Sequence, residues 1–148
     1  MYAEAIPQII GERAITTGLA LQAGQDKVSY ATHAELGEAA ANALMQDGHE
    51  NKTYELVGSR AYRYQDITML LSQMSKQDVN YTQLDATAYR ALLQEIGLAE
   101  FLIYLTHGTV ADIQRHQYEV KSHDLEMLLG RATAPLEDYL KTLYTKSI

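Results

Sequence analysis

The stretch Thr32-His33-Ala34-Glu35-Leu36-Gly37-Glu38-Ala39-Ala40, followed by Thr53-Tyr54-Glu55-Leu56-Val57-Gly58, sets the reading of the whole chain. Thr32 can cap a helix N-terminus while Glu35, three residues on, reaches back to it, so that each satisfies a backbone donor of the other. Ala39, Ala40, Ala43 and Leu44 then share one face of a helix running up to Gly48, and a face of small residues allows close approach to a sheet. Residues 53–57 alternate, carry the β-favouring Thr, Tyr and Val, and stop at Gly58, which is the pattern of a half-buried strand.

On the N-terminal side, residues 3–10 form a short helix with Ile6, Ile9 and Ile10 on one side and a stop at Gly11. Residues 18–30 make two short extended pieces around the turn Gly24-Gln25-Asp26. On the C-terminal side, Ile67, Leu70, Leu71 and Met74 recur at helical spacing and predict a helix over 64–76, followed by a strand over 79–84. Asp85 caps a helix through Tyr89, Leu92, Leu93 and Ile96 to Gly97, and an apolar helix over 98–106 precedes Gly108, with His107 at its end. A helix over 124–129 is closed by Gly130, and Pro135 opens a last one with Leu136, Leu140 and Leu143 inside. Few strands separated by helices make an α/β pattern, or α+β when taken as a fragment, mostly helical, in a single domain over 1–148.

Composition narrows the function. The chain has 148 residues, room for one core, and its 47% hydrophobic content is that of a folding domain. A net charge of -7 is the wrong sign for nucleic acid or an anionic membrane surface as partner. The absence of cysteine removes disulfides, thiolate nucleophiles and cysteine-ligated metals. No apolar run approaches the roughly 20 residues a bilayer needs, and residues 1–6 show no signal-peptide pattern, so a soluble, cytoplasmic protein is expected.

The glycines stand singly, with neither G-x-G-x-x-G nor a Walker pattern, so no phosphate-cradling turn is written in the chain, and no G-x-S-x-G elbow occurs. His33, His49, His107, His116 and His123 have no metal-ligand spacing, so no metal is expected. His49 sits in a polar turn. His107 is either a C-terminal cation favoured by the helix dipole or a pocket residue. Tyr 11 against Phe 1 gives most aromatic rings a hydroxyl that needs a partner. Tyr2, Tyr30, Tyr62, Tyr64, Tyr89 and Tyr104 either pack a core or line a pocket for a flat aromatic ligand. No Tyr-x-x-x-Lys pair appears, and no set of residues is expected to be catalytic or cofactor-binding within this chain alone.

Three segments in order carry a family resemblance. Residues 32–40 look like the Thr-Arg-x-Asp-hydrophobic-Ala-x-Ala helix start of atypical short-chain dehydrogenases, with His33 and Glu35 in place of Arg and Asp at a point of interdomain pairing. Residues 52–58 are similar to that family's Tyr-x-Leu-x-Gly strand, and residues 122–131 resemble its Asp-Leu-x-x-Leu-hydrophobic-Gly-Arg segment. Met1-Tyr2-Ala3-Glu4 is similar to its aromatic-Tyr-x-Glu segment. Together they resemble the NmrA-like branch, and within it the bacterial NAD(P)H:quinone oxidoreductases. The resemblance covers the C-terminal half of such a protein, a mostly helical lobe of an NAD(P)-binding Rossmann-like fold whose N-terminal nucleotide-binding half is absent here.

The resemblance implies that a complete relative binds NADPH and passes a hydride to a quinone held between two lobes. This chain would be the substrate-side lobe of a truncated or split enzyme, with no cofactor of its own and inactive alone, and its pocket contacts would come from Tyr2, Tyr104 and His107. A separate Rossmann-half partner or a homo-oligomer would complete it. The alternative is a non-catalytic regulatory or protein-interaction module, with an apolar edge exposed at Ala39, Ala43 and Leu56. A cofactor-free enzyme working through His107 and Tyr104 is the third reading.

Overall fold

The structure is a computed structural model that describes residues 1–10 and 14–144. The stop expected at Gly11 lies outside the described residues. A 3-10 turn at Ala3–Ala5 leads into α1 (Ile6–Ile10), α2 (Ala14–Thr17), β1 (Leu19–Leu21) and β2 (Val28–Ser29). Then follow α3 (His33–Met45), β3 (Ala61–Tyr62), α4 (Tyr64–Ser75), β4 (Tyr81–Gln83), α5 (Ala86–Glu95), α6 (Glu100–Gln114), α7 (Asp124–Leu129) and α8 (Leu136–Tyr144). The mostly helical fold with a few short strands is the one the sequence predicts.

The four strands form two separate pairs, one nested within the other along the chain. β1 lies parallel to β4, with Leu19 opposite Tyr81, and β2 lies antiparallel to β3, with Val28 opposite Tyr62. The N-terminal residues run alongside Ala31: the Ala3 amide donates to the Ala31 carbonyl at 2.8 Å and the Ala31 amide to the Met1 carbonyl at 3.1 Å. The main core gathers Ile6, Leu19, Val28, Ile67, Leu71, Ile103, Ile113 and Leu140 around the tyrosines 30, 62, 64 and 89. A second cluster joins Ala31 and Ala39 to Leu125, Leu128 and Leu129 of α7.

Local signals explain most helix ends. The Thr32 hydroxyl accepts from the Glu35 amide at 3.2 Å, and the Glu35 carboxylate takes the Thr32 amide at 3.5 Å, the reciprocal cap expected for α3. Asp85 accepts from the Ala88 amide at 2.8 Å at the head of α5. Gly130 closes α7 at φ 66°, and Pro135 stands just before α8.

Four expectations need correction. The segment 53–57 keeps its alternation, with Thr53 and Glu55 exposed and Tyr54 and Leu56 packed on the α7 cluster, but it is not a strand. A strand exists through its ladder, and among the described residues none pairs with this one; the Glu55 amide bonds the Asp124 carboxylate instead, at 2.9 Å. The α6 helix does not stop before Gly108 but runs through it. Ile103, Val110 and Ile113 bury one face across that point, and such burial outweighs the roughly 1 kcal/mol a helical glycine costs.

The small face of α3 packs on a helix, α7, rather than on a sheet, with the Asn42 side-chain amide donating to the Leu128 carbonyl at 2.8 Å. Only Ala39 of that face is fully buried; Ala40 and Leu44 face solvent, and the helix ends at Met45, short of Gly48. Nor is there an exposed apolar edge at Ala39, Ala43 and Leu56, because α7 covers them. A cluster of exposed apolar side chains lies on α6 instead, at Phe101, Leu102, Tyr104 and Leu105.

Gly58 passes directly under the Tyr30 carbonyl, and any β-carbon there would sit far inside van der Waals contact with that oxygen. Gly58→Ala is therefore expected to lower stability by about 2 kcal/mol or more, as overpacking against backbone does. Urea unfolding of the purified variant checks it.

Candidate functional site

Three tyrosines put their rings in the core from three elements: Tyr30 after β2, Tyr64 at the first position of α4 and Tyr89 in the middle of α5. Tyr64 and Tyr89 are each 1% exposed, and their hydroxyls, like that of Tyr30, have no hydrogen-bond partner of ordinary geometry among the described residues. The Tyr30 and Tyr64 hydroxyls are near enough to influence one another, and Tyr64 also senses Tyr89. Beyond Tyr89 stands His107, its ring 5.5 Å away centre to centre, with Nε2 buried and likewise without a partner.

Burial pushes all three phenols up, Tyr30 and Tyr64 far above the ordinary range and Tyr89 to about 12. They are neutral hydrogen-bond donors at physiological pH and poor proton donors. An unpaired buried hydroxyl costs roughly 1–3 kcal/mol, so this seam is stability given up inside an otherwise apolar core.

Two cavities flank the seam. One, of about 220 Å³, is lined by Tyr30, Glu35, Tyr62, Pro135 and Tyr139 among others. Its carboxylate is already engaged: Glu35 accepts from the Thr32 hydroxyl at 3.0 Å, the Ala134 amide at 2.6 Å and the Arg131 guanidinium at 3.3 Å. Glu35 is thus a structural anion pairing within the chain. The other cavity, of about 400 Å³, is walled by Ile9, Ile10, Leu19, Leu21, Leu92 and Leu93, with Tyr89, Thr17 and Thr106 as polar members. Apolar walls with a few polar groups suit a flat apolar ligand.

The residues singled out in the sequence go to different neighbours. Tyr2 is about half exposed and stacks on His33, ring centres 4.6 Å apart, where Glu4 accepts from the His33 amide at 2.9 Å. Tyr104 is 75% exposed on the outer face of α6. His107, one turn on, points inward to Tyr89 and lies in mid-helix, so it is not the C-terminal cation expected from the sequence. His49 is held by the Tyr54 hydroxyl at 2.6 Å rather than by solvent alone. The walls of the larger cavity went unnoticed in the sequence, although Leu92, Leu93 and Ile96 form an apolar run whose width exceeds what one core face needs.

A dinucleotide pyrophosphate needs free backbone amides at a helix start. Three helix starts are capped by the chain itself: Thr32 with Glu35 at α3, Asp66 on the Arg63 amide at the head of α4, and Asp85 at α5. None of these three therefore offers an uncapped N-terminus to a dinucleotide pyrophosphate. Among the described residues, no helix is long and apolar enough to cross a membrane.

No protein-family model matches the chain. Quinone oxidoreductase 2 of Escherichia coli is 29% identical over 122 residues, which are 82% of this chain and 43% of that protein. The crystal structure of an NADPH-dependent quinone oxidoreductase from E. coli superposes with a TM-score of 0.88 at 26% identity, over 97% of this chain and 52% of the other. The Citrobacter sp. triphenylmethane reductase complexed with NADP(H) gives 0.85 at 26% identity, over 93% of this chain and 50% of the other. The chain spans about half the length of the relatives it matches.

The alkaline titration follows from the buried phenols. A phenol with a higher pKa folded than unfolded stabilises the fold while both states are protonated, and loses that contribution as pH rises past the ordinary value. Stability is expected to fall from about pH 10 upward by about 1.4 kcal/mol per pH unit for each such tyrosine, for Tyr89 until about 12. Urea unfolding across that range should show a shallower fall for Tyr89→Phe, while Tyr64→Phe, which deletes an unpaired hydroxyl, leaves neutral-pH stability unchanged or raised.

The order of segments, the fold and the identity agree: the chain is a homologue of E. coli quinone oxidoreductase 2 that matches the C-terminal part of NmrA-like, atypical short-chain dehydrogenases with a Rossmann-like NAD(P)-binding fold.

Proposed function

We propose that this chain is the substrate-side lobe of an NADPH-dependent quinone oxidoreductase, working in the cytoplasm with a nucleotide-binding half, joined to it or separate, and inactive without that half. The observation that carries this reading is the superposition of nearly the whole chain on about half of a quinone oxidoreductase. The strand-like segment 52–58, alternating yet without a ladder, supports it, because an unpaired extended edge is where a sheet from the other half can add. NADPH, when bound by that half, supplies the hydride.

The chain's own contribution is to receive a flat apolar acceptor and keep water from it. The cavity walled by Ile9, Leu19, Leu92 and Leu93 supplies the apolar surface. Of the three pocket residues expected from the sequence, His107 comes nearest to that cavity, through its contact with Tyr89, whereas Tyr2 and Tyr104 lie outside its walls.

The test follows nicotinamide emission and quinone reduction. With the purified chain, NADPH emission is expected to stay unchanged and no quinone-dependent NADPH oxidation to appear; adding the nucleotide-binding half restores turnover. Emission enhancement or turnover by the chain alone overturns the reading.

A second reading, a non-catalytic interaction module, is favoured by the exposed stripe of Phe101, Leu102, Tyr104 and Leu105, apolar surface of the kind that recruits a partner or another copy. Light scattering tests it: a mass above one chain that falls to one chain in Phe101→Ser supports it, and a single-chain mass in the parent counts against self-association.

A further inference from the structure

The chain carries an excess of acid, yet one depression on its surface has the opposite character. A cavity of about 430 Å³ is lined by Lys27, Arg60, Arg63 and Lys121, together with Ser29, Ser59, Asp66 and Glu119. It lies beside the β2–β3 ladder, whose residues Ser29 and Ala61 line it, and it includes none of the walls of the apolar cavity.

The cations outnumber the carboxylates of the cavity, four to two. Arg63 is anchored by Nε donating to the Gln25 carbonyl at 3.1 Å and makes no ion pair among the described residues. Arg60 lies over the Tyr62 ring, 4.9 Å from its centre, and reaches Glu137 only at 4.0 Å while 72% exposed. Among the described residues, neither Lys27 nor Lys121 has a carboxylate within 4.0 Å.

Neither acid is ion-paired with the four cations among the described residues. Asp66 accepts from the Arg63 amide at 2.9 Å, and Glu119 stands 3.8 Å from His116. Ser29 is spent on the Val120 carbonyl at 2.9 Å. In a protein of net charge -7, a cavity lined by four cations and two carboxylates is locally positive, and its cations keep donors unused. Two guanidiniums held in place lose little freedom when they grip oxygens, and two flexible ammoniums can close over a polyvalent group.

We propose that this cavity is a binding site for a small phosphate-bearing anion, gripped by Arg60 and Arg63 and closed by Lys27 and Lys121. The site is separate from the apolar cavity and does not depend on the quinone oxidoreductase reading, since it involves neither a nicotinamide nor a second lobe.

The test is calorimetric titration of the full chain with inorganic pyrophosphate at low ionic strength. Saturable one-to-one binding is expected, weakening as salt is raised. The double variant Lys27→Gln with Lys121→Gln removes only side chains without ion-pair partners, keeps the parent's helical signal and melting temperature in the absence of pyrophosphate, and is expected to bind about tenfold more weakly. Lys52→Gln, at an exposed position outside the cavity, is expected to bind as the parent does. Absence of saturable binding overturns the proposal. So does binding that the double variant leaves unchanged, or that Lys52→Gln weakens equally, since either outcome means general attraction rather than a site.

Discussion

The fold turns on one buried carboxylate. Glu35 is 6% exposed, and a charge in that position is tolerated only when its oxygens are taken up. Its partners come from two places in the chain: Thr32, which starts α3, and the Arg131 to Ala134 segment that joins α7 to α8. Arg131 extends the arrangement to Glu38 at 2.6 Å, one turn further along α3. Because these contacts fix where α3 begins relative to α7, they also fix which residues of α3 meet Leu125 and Leu128, and the placement of α8 follows. The Leu136 amide then finds the Tyr62 hydroxyl at 3.3 Å, tying the last helix to β3.

Much of this was legible in the sequence because helix boundaries are decided locally. Thr32 with Glu35, Asp85, Gly130 and Pro135 announce helix ends through their own backbone chemistry, whatever surrounds them. What the sequence hid was every choice of partner. The segment 53–57 has the composition and alternation of a strand, but pairing is a property of two segments. The small face of α3 predicts close approach without saying to what, and α7, a single short helix, answers where a sheet was expected. Gly108 misled for a related reason: a glycine ends a helix only if nothing beyond it repays continuation, and Val110 and Ile113 do.

The candidate site was legible in residue type and hidden in geometry. An excess of tyrosine over phenylalanine says that hydroxyls will be buried, and Tyr30, Tyr64, Tyr89 and His107 were all visible as possibilities. Nothing in a linear sequence says that residues from β2, α4, α5 and α6 will form one row with unpaired polar ends. Nor does it reveal that of Tyr104 and His107, three positions apart and so neighbours around α6, one is exposed and the other reaches Tyr89. The basic cavity was less visible still, since Lys27, Arg60, Arg63 and Lys121 are spread over four connections between elements and an average of charge along the chain conceals them.

The pairing of β1 with β4 has a consequence for how the chain acquires its structure. Leu19 meets Tyr81, Met1 and Ala3 meet Ala31, and Ser29 is held by the carbonyls of Tyr118 and Val120, so the early part of the chain is fastened by segments that emerge much later in synthesis. Each such closure spends loop entropy before any contact repays it, which slows folding relative to a bundle of the same helices. The first 30 residues, with Ile6, Leu19 and Val28 destined for the core, must wait while most of the chain is made. That interval, with apolar residues uncovered, is the time at which the nascent protein has most need of a chaperone.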